Sequence, residues 1–65
     1  MTDTERRQVA AVLRAAATIV NFDTRAGVPQ AEELFLAWRS DGARPPSDIA
    51  DEMRAAADRV EKGEL

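Results

Sequence analysis

Two twelve-residue segments of this chain, forty positions apart, have similar sequences. Residues 9–20 read VAAVLRAAATIV and residues 49–60 read IADEMRAAADRV, with six identical positions of twelve. In both copies apolar residues recur at spacings of four, three and four, which is the periodicity of an amphipathic helix. These stripe residues are Val9, Leu13, Ala16 and Val20 in the first copy, and Ile49, Met53, Ala56 and Val60 in the second. The repeat therefore predicts two similar helices whose stripes face inward.

The similarity of the two copies has two possible origins. One is duplication of a helix. The other is composition. In a chain with thirteen Ala and eight Arg among 65 residues, helices have similar sequences simply because these two residues are frequent. A single pair of copies does not define a repeat architecture, which needs about three units.

The two copies differ at their flanks in a way that predicts different surroundings. Val12 and Ile19 of the first copy correspond to Glu52 and Arg59 of the second. Apolar flanks widen the face that a helix must bury, whereas charged flanks narrow it. We therefore expect the first helix to lie centrally and the third helix toward the edge. We also expect the first and second helices to supply most of the buried surface.

Capping residues set the expected bounds of the first two helices. Thr2 followed three residues later by Glu5 is a capping-box pattern, in which each side chain satisfies a free backbone donor of the other residue. This pattern predicts a first helix over residues 3–20. Pro29 suits the first position of a helix because its fixed φ matches the helix and its missing N–H is not needed there. The second helix is expected over residues 29–40.

Breaking residues separate the third helix from the second. The pair Pro45 and Pro46 excludes a regular helix through this joint. Ser47 is a good N-cap residue, and Gly63 is placed where a helix commonly stops. The third helix is therefore expected over residues 47–62.

These elements predict an all-α fold: a small three-helix bundle that forms a single domain over residues 1–65. A chain this short buries only about 60% of the surface that it exposes when unfolded, so its core is thin. With no cysteine, no disulfide can staple the fold. Association with a second chain would add buried surface, and we expect dimerisation to complete the bundle.

The second helix carries the bulkiest side chains of the chain. Its expected inner face consists of Ala31, Leu34, Phe35 and Trp38. Leu36 points about 140° away from Ala31, on the side expected to meet water. Together with outward-facing alanines, Leu36 favours a second buried face supplied by another copy of the chain across a two-fold axis. The residues that we expect to bind a partner are Leu36, Trp38, Phe35 and Arg39.

The composition disfavours catalysis. The chain has neither histidine nor cysteine, which removes the usual nucleophile-and-base pairs and the usual zinc ligands. Asp48, Asp51 and Glu52 share one helix start, where carboxylates stabilise the helix dipole without any metal. Gly27 and Gly42 stand alone and form no phosphate-binding loop. We expect no enzyme activity, no cofactor, no metal and no small-molecule substrate.

One stretch, RAGVPQAEELFLAW, resembles the helix-turn-helix motif of DNA-binding proteins through its turn at Gly27. The resemblance implies that the helix after the turn would read DNA. Two positions depart from the motif, since Asp23 stands where a small residue belongs and Glu33 where a buried aliphatic residue belongs. Carboxylates at the start of the reading helix would oppose the phosphates of the duplex. A small DNA-associated regulator is therefore the alternative interpretation, with phosphate contacts from Arg25, Arg39 and Arg44.

The remaining signals concern location and role. No apolar run reaches the roughly 20 residues of a membrane span, and the start MTDTERRQ lacks the pattern of a signal peptide. Net charge is -3, which gives no overall attraction to nucleic acid or anionic lipid. The sequence predicts a cytoplasmic, non-enzymatic protein–protein interaction module with a regulatory or accessory role. Its Ala and Arg bias is typical of GC-rich genomes and favours a bacterium of that kind or one of its phages.

Overall fold

The computed structural model of the chain describes residues 1–38 and 44–64. Within these ranges it contains three helices and no strand: α1 (Asp3–Phe22), α2 (Pro29–Trp38) and α3 (Pro46–Glu61). The predicted all-α three-helix bundle is therefore confirmed. The predicted end of α2 at residue 40 lies outside the described residues.

The start of α1 is the predicted capping box. The hydroxyl Oγ1 of Thr2 accepts the backbone N–H of Glu5 at 3.1 Å, and Glu5 Oε1 accepts the backbone N–H of Thr2 at 2.8 Å. The pKa of the Glu5 carboxyl is lowered, chiefly by this backbone hydrogen bond from Thr2. Helix α1 runs to Phe22, two residues beyond the predicted end.

A glycine with positive φ closes the turn after α1 and another closes the turn after α3. Gly27 has a φ of 82° and Gly63 a φ of 79°, and residues other than glycine rarely adopt such positive φ values. At each glycine the following N–H reaches back five residues, from Val28 to Asp23 at 3.0 Å and from Glu64 to Arg59 at 2.8 Å. The prediction that Gly63 stops the third helix is confirmed.

The predicted start of α3 is wrong by one residue. The helix begins at Pro46, and Pro45 occupies the N-cap position without any side-chain cap hydrogen bond. Ser47 therefore lies inside the first turn and does not cap it. The reason is that Pro46 fits the first helical position, where the N–H that it lacks has no partner in any case.

The two copies of the repeated phrase pack directly against each other. Helices α1 and α3 run antiparallel, since Arg14 of α1 contacts Asp58 and Glu61 of α3 while Val20 joins the same core cluster as Ile49. Equivalent positions of both copies are buried in this contact: Ala10 and Ala50, Ala17 and Ala57, Val20 and Val60. The repeat thus forms an antiparallel helical hairpin in which both copies bury these equivalent residues.

Helix α2 lies across one end of the α1–α3 hairpin. Its Phe35 belongs to the main core cluster, whose other members are Ala17, Val20, Ile49, Ala50 and Met53. Leu34 and Trp38 are partly buried against the same cluster. The described residues of α2 therefore pack at the end of the hairpin formed by the C-terminal half of α1 and the N-terminal half of α3.

The predicted distribution of burial between the helices is wrong. Among the described residues, α3 supplies six of the eleven buried hydrophobic residues and α1 supplies three. All four stripe residues predicted for α3 are buried, whereas only Val20 of the α1 stripe is fully buried. The reason is that α1 buries Ala10 and Ala17 in its contact with α3, while the described residues of α2 pack near Ala17 and Val20 and away from Val9.

Candidate interaction surface

Large apolar side chains reach solvent along the outer side of α1. Val12 is 68% exposed, Ile19 42% and Phe22 62%. With the exposed Ala15 they lie within a sector of about 80° around the helix axis at 100° per residue. We call these four residues the open face of α1. No other described helix exposes three large apolar residues.

Helix α3 provides an internal reference for the open face. A shift of forty positions leads to three residues of α3 and its C-cap residue: Glu52, Ala55, Arg59 and Lys62. Those four residues are exposed, and three of them are charged, as expected for a helix side in contact with water. In the same hairpin, α1 carries Val, Ile and Phe at the matching positions. The open face therefore has the composition of a covered surface.

Charge is almost absent from this part of α1. Residues 8–22 contain one charged residue, Arg14, whereas the equivalent residues 48–62 contain eight. The guanidinium of Arg14 is turned toward α3, where its Nη2 lies 2.9 Å from Asp58 and 2.6 Å from Glu61. The open face thus presents no free charge to a partner. Depletion of charge is characteristic of the centres of protein interfaces.

The four residues predicted to bind a partner have different environments. Leu36 is 46% exposed, as its outward position in the sequence predicted. Phe35 is buried in the core of its own chain, and Trp38 is half-buried against that core. Arg39 lies outside the described residues. Partner binding by these residues stays a prediction, with Leu36 the described member that offers the most surface.

The end of α2 is tied to α3 by a polar network. The indole N–H of Trp38 donates to Oε1 of Glu52 at 3.3 Å, and Nη2 of Arg44 lies 2.5 Å from Oε2 of the same carboxylate. The hydrogen bond from Arg44 is the main reason that the pKa of Glu52 is lowered. Arg44, one of three predicted phosphate contacts, is thus engaged within the chain, whereas Arg25 is exposed.

Sequence reasoning noticed the residues of the open face but assigned them a different role. The sequence predicts that Val12 and Ile19 widen the buried side of α1 within its own bundle, and Phe22 lies beyond the predicted end of that helix at residue 20. The signal that identifies the open face is the comparison with Glu52 and Arg59. That comparison becomes decisive only when both helices are seen to present these positions to solvent.

Metal-ligand groups, pockets and membrane-spanning helices were sought among the described residues. These residues contain no group of three His, Cys, Asp or Glu side chains that could hold a metal ion, and their surface forms no pocket. Within 1–38 and 44–64, every helix falls short of the length and hydropathy that crossing a membrane requires.

Models of known protein families, curated proteins and solved structures were each compared with this chain, and none matches it. The fold and the surface nevertheless define a class: a small three-helix bundle with one charge-free apolar helix face left uncovered. Its function has to be inferred from that surface.

Proposed function

We propose that this chain is a small non-enzymatic protein–protein interaction module whose open face is covered by a second copy of the chain. The observation that carries the proposal is the contrast between equivalent positions of one hairpin, where Val12 and Ile19 of α1 match Glu52 and Arg59 of α3. A regulatory or accessory role is the biological role that we propose for such a module.

A second copy of the chain can cover the open face because this face carries no charge. In a two-fold contact both subunits use the same patch, so a patch that carries charge of one sign opposes itself. This chain carries a net charge of -3, and the outer side of α3 is densely charged. The open face is free of charge, so two copies can meet there without burying an ion or opposing like charges.

The size of the open face sets the expected strength of the contact. Positions 12 to 22 span about 15 Å at 1.5 Å per residue. Such a face is smaller than the roughly 800 Å² that each partner buries in a standard interface. We therefore expect a dimer of micromolar to millimolar dissociation constant.

The repeat supplies a matched pair of variants for the test. Ala15 on the open face and Ala55 on α3 are equivalent, and both are exposed in the middle of a helix. Ala15→Arg places a charge in the proposed contact, whereas Ala55→Arg places the same charge on the charged side of α3. We expect sedimentation equilibrium to show a dimer for the wild type and for Ala55→Arg, and a monomer for Ala15→Arg.

Circular dichroism of both variants checks that the helices are retained. A wild type that stays monomeric to millimolar concentration contradicts the dimer. So does an equal effect of the two arginines on association. Either result would leave the open face without the partner proposed for it.

The alternative, a DNA-associated regulator, has less support. The turn at Gly27 has the positive φ that the resemblance implies, and Arg25 beside it is exposed. However, Arg44 is held by Glu52, and the exposed Glu32 and Glu33 stand at the start of α2. Duplex DNA titrated at low ionic strength tests this alternative. We expect no binding, whereas a salt-dependent complex would favour it.

A further inference from the structure

The residues of the open face follow one another at spacings that read the same in both directions. Val12, Ala15, Ile19 and Phe22 are separated by three, four and three positions. This is the seam spacing of a coiled coil, in which apolar residues recur at alternating intervals of three and four. The midpoint of the seam is position 17, so a second α1 that runs in the opposite direction presents apolar residues at the same heights along the helix.

The direction of the second helix decides which side chains meet. In a parallel pair each residue of the seam faces its own copy, so that Ala15 faces the partner's Ala15 and Phe22 faces the partner's Phe22. In an antiparallel pair the residues at equal distances from position 17 face each other. Ala15 then faces the partner's Ile19, and Val12 faces the partner's Phe22.

The volumes of the side chains favour the antiparallel direction. A parallel pair would place two alanines at one height and two phenylalanines at another, and one separation of the helix axes does not fit both layers at the packing density of protein interiors. An antiparallel pair combines a larger and a smaller side chain in every layer, either Phe with Val or Ile with Ala. Facing positions that alternate in this way interdigitate without voids. The open face is therefore complementary to itself in one direction only.

The surroundings of the open face leave room for a second helix. At 100° per residue, the open face points about 170° away from Ala10 and Ala17, which are buried in the contact with α3. Ala11 and Thr18 border the open face and are small and exposed. The hydroxyl of Thr18 donates to the backbone carbonyl of Arg14 at 3.3 Å, so a second helix that covers it leaves this donor satisfied. A second α1 can therefore lie on the side opposite α3.

We propose that two copies of the chain associate through antiparallel α1 helices. Ile19 packs on the partner's Ala15, and Phe22 packs on the partner's Val12. This inference rests on the dimer proposed above and adds the direction and the register of its contact. The helices then form one layer in the order α3, α1, the partner's α1 and the partner's α3. The two-fold axis is normal to this layer, so the two α2 helices lie on the same side of it, at opposite ends.

Disulfide exchange tests the register, because the chain has no cysteine of its own. Chains with Ala15→Cys and chains with Ile19→Cys are mixed in equal amounts at millimolar concentration in a glutathione redox buffer, and the crosslinked products are separated by mass. Random pairing gives mixed and like crosslinks in equal amounts. We expect mixed crosslinks to exceed like crosslinks severalfold, because positions 15 and 19 of the two copies face each other.

Like crosslinks at position 15 are disfavoured by distance in the antiparallel contact. The two copies of this position are offset by four residues, which is about 6 Å along the helix axes. Together with the separation between the helices, this offset exceeds the roughly 7 Å between Cα atoms that a disulfide can bridge. In a parallel contact the same two positions face each other and crosslink readily.

The matched control is Ala55→Cys, which places the same thiol at the equivalent position of α3. Mixed with Ile19→Cys, it should give mixed and like crosslinks in equal amounts. Circular dichroism of each reduced variant checks that the helices are retained. An excess of mixed crosslinks in this control as well would show that the thiol of Ile19→Cys reacts without regard to the proposed contact, and would overturn the inference.

The other outcomes separate the inference from the dimer itself. Crosslinks mainly between identical Ala15→Cys chains would show a parallel dimer, so the dimer would stand and the antiparallel register would be wrong. Equal amounts of mixed and like crosslinks, with a wild type that sediments as a dimer, would place the contact on another surface. A wild type that stays monomeric would overturn both and leave the open face to a different protein.

Discussion

At the scale of single residues, alanine decides how closely α1 and α3 approach. The fully buried seam residues are Ala10, Ala17, Ala50 and Ala57. Their small side chains let the helix axes come near the low end of the usual separation of about 8 to 10 Å. The sequence shows these four alanines at matching positions of the two copies. It did not predict that Ala10 and Ala17 face α3, since the larger neighbours Val9 and Val12 are the stronger apolar signal.

The capping box of α1 gives a prediction for stability as a function of pH. The ordinary pKa of Glu5 is 4.5, and in the folded chain it is lowered. The contribution of this carboxylate is therefore present above pH 4.5 and is lost as pH falls through the lower folded value. Thr2→Ala should cost about 1 kcal/mol at neutral pH. In Glu5→Gln the free energy of unfolding, measured by urea unfolding at several pH values, should fall less steeply at acidic pH than in the wild type. We call this fall the acid limb of the stability curve.

The control for this prediction is Glu64→Gln, a matched substitution at the other end of the chain. It should leave the acid limb as it is in the wild type. An unchanged acid limb in Glu5→Gln would show that the capping box contributes no pH dependence.

At the scale of elements, α2 is the least self-sufficient helix. It has 10 residues, fewer than the roughly 12 to 15 that an isolated helix needs in water. Its attachment to the hairpin includes Phe35 in the core, Leu34 packed against that core, and Trp38, whose indole N–H donates to Glu52. From the sequence, Glu52 is a charge favourable to the start of α3 and a charged flank of its buried stripe. Its bond to α2 depends on tertiary contact, which local sequence does not encode.

The polar network predicts how α2 responds when Glu52 is removed. In Glu52→Ala the indole of Trp38 loses its acceptor and Arg44 loses its ion pair. We expect Trp38, the only tryptophan of the chain, to become more accessible to acrylamide quenching. Asp51→Ala removes an equivalent charge that pairs with Arg54 within α3 and should leave quenching unchanged. Equal quenching in the wild type and in Glu52→Ala would show that the network does not hold α2.

At the scale of the whole molecule, the shape is more extended than its length requires. The radius of gyration is 12.1 Å, whereas a compact domain of this length is expected near 10.7 Å by the usual scaling. A 20-residue α1 and a 16-residue α3 form a hairpin that the shorter α2 covers at one end. The exposure of Val9, at the end of the hairpin away from α2, follows from this mismatch, whereas the open face is exposed because it lies on the outer side of α1.

Converting the open face to the chemistry of α3 tests its role in stability. The double variant Val12→Glu and Ile19→Arg gives α1 the residues found at positions 52 and 59. If a second copy covers the open face, the wild-type melting temperature rises with protein concentration, because dimerisation favours the folded state. The double variant should keep its helix content and lose this dependence. A wild-type midpoint that is independent of concentration would contradict the dimer.

The sequence by itself determined the three helices, the capping box at Thr2, the stop at Gly63 and the outward position of Leu36. These features depend on contacts within a few residues, so periodicity and local propensity are sufficient to predict them. Only the tertiary structure decided that the two phrases pack on each other and that α3 is the most buried helix. Those outcomes depend on contacts between residues that are far apart in the sequence. The periodicity of a single helix does not specify such contacts.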